Sequence, residues 1–268
     1  MTAKGGLLRQ LEAQLHEALA EGTEVVEVHG FKVHIWRTPD PFYRNVAVPV
    51  RPVSDWPTAI AALRESFARH ERRARVEFFA ELWPGLETTL EAGGFGVEAR
   101  APVMAAHHPA AGATGPGPPV ELLDASTPLE MLRACLEGAA AAFHEPTAIL
   151  APGELERLQD GLAKGTLRSA VVRVEGAPVC GASLAGRGAV AELLGVWTHP
   201  SYRRRGLARA ACVRLLRDFF AGEGRTAWLT AGSVAGAGLY RELGFSACGT
   251  HLDCADQLDH AAAHPADS

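Results

Sequence analysis

The fold of this chain is decided by the stretch Val196-Trp197-Thr198-His199-Pro200-Ser201-Tyr202-Arg203-Arg204-Arg205-Gly206-Leu207-Ala208. Residues 189–196, which lead into it, are mostly apolar and are typical of a strand, which Pro200 ends. From Leu207 onward, apolar residues recur at helical spacing. The stretch therefore predicts a strand, a short basic turn and a helix that begins at Gly206.

The turn between this strand and this helix has the features of a phosphate site. The first backbone N–H groups of a helix are free and lie at the positive end of its dipole, and neighbouring arginines add charge. Gly206 lets the backbone approach a ligand closely, and the small side chain of Ala208 leaves the first helical turn open. The net charge of the chain is −5, which gives no reason to expect nucleic-acid binding. A small anionic ligand is the expectation.

The pattern Arg203-x-x-Gly206-x-Ala208 after a strand resembles the acyl-CoA pyrophosphate loop of the GNAT (N-acetyltransferase) superfamily. Downstream, a predicted strand at 226–230 precedes a helix that ends Leu239-Tyr240-Arg241-Glu242-Leu243-Gly244-Phe245, which is similar to the family's second signature. The resemblance implies an α/β (α+β layered) fold with a mixed, mostly antiparallel sheet flanked by helices. It also implies acetyl transfer from acetyl-CoA, as co-substrate, to a primary amine in a ternary complex.

Hydrophobic periodicity extends this interpretation along the chain. The predicted helices are 7–20, 57–70, 84–92, 128–143 and 153–163, besides the two already described. The predicted strands are 25–28, 31–36, 46–48, 76–79, 95–104, 120–123, 169–174 and 178–184, besides 189–196, 226–230 and a final strand after Phe245.

An internal repeat at an offset of 150 residues predicts two domains of this fold, although two unrelated α/β units with chance matches are the alternative. The offset places Phe95 on Phe245 and strand 76–79 on strand 226–229. The predicted division is 1–108 as a degenerate GNAT-like domain without cofactor loop, 109–119 as a Pro/Gly-rich linker, 120–255 as the catalytic GNAT domain and 256–268 as a flexible tail.

The two copies differ where the cofactor would bind. At the same offset Gly206 faces Trp56, Arg203 faces Val53 and Tyr240 faces Leu90. A tryptophan would keep the backbone away from a pyrophosphate, and a valine supplies no charge. The first half is therefore predicted to pack on the second half or to close the acceptor cleft.

The resemblance assigns site residues in the second half. The cofactor-binding residues that it implies are Val196, Trp197 and Thr198 for the pantetheine, Arg203, Arg204, Arg205, Gly206, Leu207 and Ala208 for the pyrophosphate, and Ser233 where many members have Asn. His144 and Glu145 lie where the family commonly forms part of the acceptor site, and a surface loop is the alternative interpretation.

Two residues are candidates for acid–base chemistry. Tyr240 is the candidate general acid, because a phenol of pKa about 10 stays neutral at pH 7 and can donate a proton to a thiolate. Its alternative is a core aromatic. Glu192 is the candidate base, because a lone acid in an apolar strand is costly unless it points into a polar cleft. A solvent-facing edge position and a structural ion pair are its alternatives.

The remaining features restrict the function class. Five cysteines in a chain of this length are too few for a disulfide framework, and an odd number cannot all pair. The cysteine count therefore favours free thiols and a cytoplasmic protein. Cys248-x-x-His251-x-x-Cys254 has metal-like spacing, but on a strand His251 points away from both cysteines, so no metal is expected. Cys180 and Cys212 stay open as covalent nucleophiles.

The expected partner is a small-molecule or peptide amine, with neither nucleic acid nor membrane, and the oligomeric state stays open. No apolar run approaches the ~20 residues that cross a bilayer. The alternative from another class is a non-catalytic acyl-CoA-binding sensor or partner-binding protein, which would bind CoA without turnover.

Overall fold

A computed structural model describes residues 3–36, 45–108, 117–143, 153–232 and 234–258. The chain forms two compact units. Unit 1 is Met1–Val103 with Cys248–Ser268, and unit 2 is Met104–Ala247. No described helix is long and apolar enough to span a membrane.

The helices and strands follow the predicted order closely. Those of the first half are α1 (Ala3–Ala20), β1 (Thr23–Val28), β2 (Phe31–Trp36), β3 (Val46–Pro49), α2 (Trp56–Ala68), β4 (Arg75–Phe79), α3 (Leu86–Ala92) and β5 (Phe95–Ala106). Those of the second half are β6 (Glu121–Leu123), α4 (Leu129–Phe143), α5 (Glu154–Lys164), β7 (Leu167–Val174), β8 (Ala177–Ala185), β9 (Val190–Thr198), a 3-10 helix (Pro200–Tyr202), α6 (Leu207–Ala221), β10 (Thr226–Thr230), α7 (Val234–Glu242) and β11 (Ser246–Asp256).

Unit 2 contains a mixed, mostly antiparallel sheet, as the sequence predicted. Its strand order is β10-β9-β8-β7-β6. The pair β9–β10 is parallel, and the other three pairs are antiparallel. Helix α6 covers this sheet with a stripe of buried side chains, which are Leu207, Ala211, Cys212, Leu215, Leu216 and Phe219. This stripe has the helical spacing seen in the sequence.

Unit 1 also contains a sheet with a parallel pair of strands, but β11 enters it between β4 and β5. Its order is β1-β2-β3-β4-β11-β5. Strands β3 and β4 are parallel, with Ala47 opposite Val76, as β9 and β10 are in unit 2. Its core contains Phe31, Leu63, Phe67, Val76, Phe78, Leu252 and Cys254. The order of strands and helices that the 150-residue offset predicted is therefore present in both halves.

The last strand of the described chain lies mostly in unit 1. Strand β11 pairs antiparallel with β4, with Leu252 opposite Phe78. The sequence had assigned residues up to 255 to the second domain, whereas compact unit 2 ends at Ala247. Strand pairing joins residues far apart in the chain, and the local pattern of a strand does not name its partner.

The predicted tail also begins later than expected. Asp256 lies in β11 with only 3% of its side chain exposed, and both of its oxygens accept hydrogen bonds from Arg64, at 2.7 and 2.9 Å. Burial raises the pKa of Asp256, but the hydrogen bonds from Arg64 and from the backbone N–H of Leu258, with the charges of Arg64 and Arg73, together hold it below its usual value. A bidentate, charge-assisted pair of this kind fixes the end of the strand. Of the predicted linker and tail, 109–116 and 259–268 lie outside the described residues.

Candidate functional site

Strands β9 and β10 part from each other along their length. Their parallel ladder joins only Val190–Glu192 to Thr226–Trp228. Beyond Glu192, β9 continues to Thr198 and pairs with β8 alone among the described strands. A gap therefore opens between β9 and β10 beyond Glu192. The backbone N–H and C=O groups of residues 193–198 that face this gap are not paired with β10, as on an edge strand.

A bulge in β9 lies beside this gap. The register between β8 and β9 shifts between the pair Ser183–Leu194 and the pair Gly181–Trp197. Gly195 sits in the shift with a φ of +57°, and a Cβ there would meet nothing within 4 Å. Bulges of this kind re-aim the backbone and are common next to binding sites. The bulge therefore lies directly before Val196, whose contact with the pantetheine stays a prediction.

The basic turn leads into an open helix N-terminus. Gly206 precedes α6 with a φ of +74°, and no side chain caps the helix. A Cβ at Gly206 would also meet nothing within 4 Å. The first N–H groups of α6 thus have no side-chain acceptor within the described chain, and they lie at the positive end of the helix dipole. This is the arrangement that an anion requires.

The three arginines of the turn have different surroundings. Arg203 donates from Nη2 to the carbonyl of Ala142 at 3.0 Å and from Nε to the carbonyl of Thr198 at 3.3 Å. Arg205 donates to the carbonyl of Ser201 and lies 5.1 Å from the ring of Tyr202. Arg204 is exposed, and no partner of its side chain is found within the described ranges.

The sequence predicted that all three arginines hold a pyrophosphate, but two of them already donate hydrogen bonds to backbone carbonyls. The guanidinium of Arg203 lies at the C-terminal end of α4, where a positive charge complements the helix dipole and the last free carbonyls. The guanidinium that a phosphate can reach without breaking a hydrogen bond between described residues is that of Arg204.

The side chain of Trp197 packs into the protein. It is 6% exposed. A Cβ added at Gly138 of α4 would lie 2.7 Å from its ring, and one added at Gly181 of β8 would lie 2.6 Å from its Nε1. Its indole therefore occupies the space between α4 and the sheet that these two glycines leave. Only the backbone of Trp197 is available to a ligand. The same holds for Leu207, whose side chain is 8% exposed and packs in the core.

Tyr240 is half-buried on α7. Its ring packs against Phe245 at a centroid distance of 6.1 Å. Burial, and then the neighbouring Cys212, raises the pKa of Tyr240 to about 12. No hydrogen bond of its hydroxyl is found among the residues that the structure describes. The phenol is therefore protonated at every ordinary pH and can act as a hydrogen-bond donor.

Glu192 occupies the last paired position before the strands part. It lies opposite Ala185 on β8 and Trp228 on β10. Its neighbours Ala191 and Leu193 are buried in the core beneath α6, so alternation directs Glu192 to the other face of the sheet. An acidic side chain thus stands at the closed end of the gap.

The two cysteines that had stayed open as nucleophiles are poorly suited to that role. Cys180 and Cys212 are both fully buried. Burial raises the pKa of Cys180, and it raises that of Cys212 to about 12. The hydroxyl of Thr198 contacts the sulfur of Cys180 at 3.3 Å, a contact that the sequence did not suggest. Because the thiolate is the reactive form, burial and a raised pKa both disfavour these thiols as nucleophiles.

Three predicted site residues, His144, Glu145 and Ser233, lie outside the described residues. In the metal-like motif, Cys254 is buried in the core of unit 1, whereas His251 lies 3.4 Å from Glu77. The described residues hold no group of three or more potential metal ligands.

Comparison with known proteins agrees with the fold. Residues 134–245 match the model of the Acetyltransferase (GNAT) family. A GCN5-related N-acetyltransferase from Kribbella flavida is 24% identical, with a TM-score of 0.74 over 96% of this chain and 98% of that chain. A tandem GNAT protein from the clavulanic acid biosynthesis pathway is 17% identical, with a TM-score of 0.60 over 88% of this chain and 79% of its own. A GCN5-related N-acetyltransferase-like protein from Streptococcus suis is 16% identical, with a TM-score of 0.55 over 93% and 97%. No curated protein matches the chain.

Proposed function

We propose that this chain, whose residues 134–245 match the model of the Acetyltransferase (GNAT) family, moves an acetyl group from acetyl-CoA to a primary amine. The observation that carries the proposal is the gap between β9 and β10, with the Gly195 bulge on its side and the open N-terminus of α6 beyond it. The transfer is direct, in a ternary complex, because the buried thiols of Cys180 and Cys212 are unsuited to a covalent step.

The residues present fit acetyl-CoA. The uncapped N–H groups after Gly206 and the side chain of Arg204 suit its diphosphate. The space beside the Cα of Gly206 is open, so a ligand can approach the backbone there. The extended amide-containing arm of acetyl-CoA suits the unpaired backbone of β9 from 193 to 198. When bound, acetyl-CoA supplies the activated thioester.

The chain's own groups would handle the protons. The acceptor amine must lose a proton before it attacks, and Glu192 at the closed end of the gap is the base that we propose. The phenol of Tyr240 donates a hydrogen bond to the departing sulfur, and its raised pKa keeps it protonated for that purpose. The acceptor is a small-molecule or peptide amine. The compartment that we propose is the cytoplasm, since all five cysteines are free thiols.

The test is calorimetry with acetyl-CoA, followed by turnover with a panel of primary amines read by mass spectrometry. Gly206→Trp should abolish acetyl-CoA binding, because a large side chain would cover the helix N-terminus. Gly188→Trp is the matched control, since Gly188 also has a positive φ, of +63°, and open space around its Cβ. Unchanged affinity in Gly206→Trp would contradict the site, and binding without turnover of any amine would favour an acyl-CoA sensor.

A further inference from the structure

Unit 1 contains a cavity of about 460 Å³ that the proposed reaction does not use. Its walls are the end of β3 with the loop that follows, the connection between β4 and α3, and Arg9 of α1. By the internal repeat, the first two correspond to the β9–α6 turn and the β10–α7 connection of unit 2. The cavity thus has the same place in its own unit as the proposed cofactor site has in the other, and its volume is that of a small-molecule pocket.

The cavity cannot hold a diphosphate as unit 2 would. At the start of α2, Asp55 accepts hydrogen bonds from the backbone N–H of Thr58 at 3.2 Å and from its hydroxyl at 2.6 Å. These bonds lower the pKa of Asp55, so a negative charge already occupies the helix N-terminus. Pro57 offers no N–H, and Trp56 stands where Gly206 stands in unit 2. A CoA diphosphate would be repelled here.

The walls are instead aromatic and fixed. The ring of Trp56 lies edge-on to Phe31 with centroids 6.2 Å apart. The indole N–H of Trp83 donates to Glu12 at 2.7 Å. Anchored rings lose little entropy when a flat apolar molecule packs against them. A planar apolar ligand is therefore favoured over a flexible polar one.

The charges that line the cavity are both positive. Among the residues that the structure describes, its titratable lining residues are Arg9 and Arg51, and no described carboxylate lines it. The partner of Arg51 is Glu27 at 3.3 Å, with 63% and 56% of the two side chains exposed. Such an exposed ion pair is weak, so a ligand anion can replace Glu27. Arg9 also lies near Glu12, which makes Arg51 the more available guanidinium.

From the cavity, its fixed indoles and the two arginines in its lining, we propose that unit 1 binds a small planar apolar molecule that carries one carboxylate. The rings of Trp56 and Trp83 hold its flat part, and Arg51 holds its carboxylate. This site is separate from the acyl-transfer site and does not require that the proposed reaction occurs.

The test is calorimetric titration of the full chain with indole-3-acetate and with its neutral counterpart indole-3-acetamide. We expect one equivalent of the acid to bind, about fivefold or more tighter than the amide, because a charge-assisted contact is present only in the acid. Arg51→Gln should remove this preference. Arg69→Gln is the matched control, because Arg69 is an exposed arginine of the same unit that pairs with Glu65 outside the cavity.

A second variant locates the ligand. Thr89 lines the cavity, and Thr89→Phe should fill it and weaken both compounds while leaving acetyl-CoA affinity unchanged. Three results would each overturn the proposal: no binding of either compound at millimolar concentration, equal affinity for acid and amide, or displacement of the acid by acetyl-CoA. The last would assign the ligand to unit 2.

Discussion

Arg203 and Arg204 are adjacent in the chain but face different partners. Arg203 is bonded to the carbonyls of Ala142 and Thr198, whereas Arg204 is exposed with no partner found in the described structure. Both would be assigned to the phosphate from sequence alone. The structure separates an arginine that contacts the end of α4 from one whose contact with a phosphate stays a prediction.

We expect Arg204→Ala to raise the dissociation constant for acetyl-CoA about fivefold, because an exposed charge-assisted contact is worth roughly 1 kcal/mol. Arg203→Ala should instead lower the melting temperature by releasing the end of α4. Calorimetry and thermal unfolding on both variants measure the two effects. Weaker acetyl-CoA binding by Arg203→Ala with no loss of stability would contradict these separate roles of Arg203 and Arg204.

Tyr240 gives a second prediction at this scale. Tyr240→Phe should lower kcat by ~10²-fold or more with acetyl-CoA affinity little changed, because only the hydroxyl is lost. The phenol works as a donor below its pKa, so with a pKa of about 12 no alkaline loss of kcat from Tyr240 is expected below about pH 11. Steady-state rates from pH 6 to 11 measure this.

Glu192→Gln provides the comparison. It should lower the rate and remove the acidic limb of the pH profile, whereas Tyr240→Phe should keep that limb. Tyr240→Phe should melt at the temperature of the unaltered protein. A wild-type rate in Tyr240→Phe would return that side chain to a packing role beside Phe245.

At the scale of elements, helix α1 and the β1–β2 hairpin meet at two histidines. His34 on β2 is 1% exposed, and its Nδ1 lies 3.3 Å from the hydroxyl of Thr23. Burial, then mutual repulsion with His34, lowers the pKa of His16 on α1 to about 4. Burial, then the charge of Lys32, lowers that of His34 to about 4. Both imidazoles are therefore neutral at pH 7.

Acid should weaken this contact. An unfolded chain binds these protons near pH 6.5, but the folded one only near pH 4, so stability is full above pH 6.5 and falls as the pH drops toward 4. His16→Gln should reduce the loss of unfolding free energy between pH 7 and 4.5 by about 1–2 kcal/mol. Urea denaturation at both pH values measures this, with His70→Gln as control. An unchanged pH dependence in His16→Gln would contradict the assignment.

At the scale of the whole molecule, the pairing of β11 with β4 ties the end of the chain to its first half. A fragment 117–268 would carry β11 without β4, with the apolar side chains of Leu252 and Cys254 uncovered. Unpaired apolar strands aggregate. We therefore do not expect the second half to be monodisperse by itself.

We expect fragment 117–268 to aggregate and to become monodisperse when fragment 1–108 is co-expressed, because β4 is then supplied in trans. Size-exclusion chromatography measures this. Fragment 117–247, which lacks most of β11, is the control and should not recruit 1–108. A monodisperse 117–268 that ignores 1–108 would show that β11 does not need β4.

The sequence by itself determined the elements, their order and the repeat. Alternation and helical spacing are local properties, and they predicted strand β9, helix α6 and strand β10 within one or two residues at most ends. Gly206 at the start of the helix was also visible in the sequence, and the structure places it directly before α6. The position of Glu192 within an apolar strand was visible in the same way.

Only the tertiary structure decided which partners meet. Arg64 and Asp256 lie 192 residues apart in the chain, and nothing near either residue names the other. Likewise the carbonyl of Ala142 that Arg203 contacts, and the glycines that make room for Trp197, lie on elements that the spacing of 196–208 does not describe. A local pattern fixes what a segment can form, because it depends on neighbouring residues alone. Which sheet β11 joins, and whether an arginine serves a helix or a ligand, depends on distant residues brought together when the core closes.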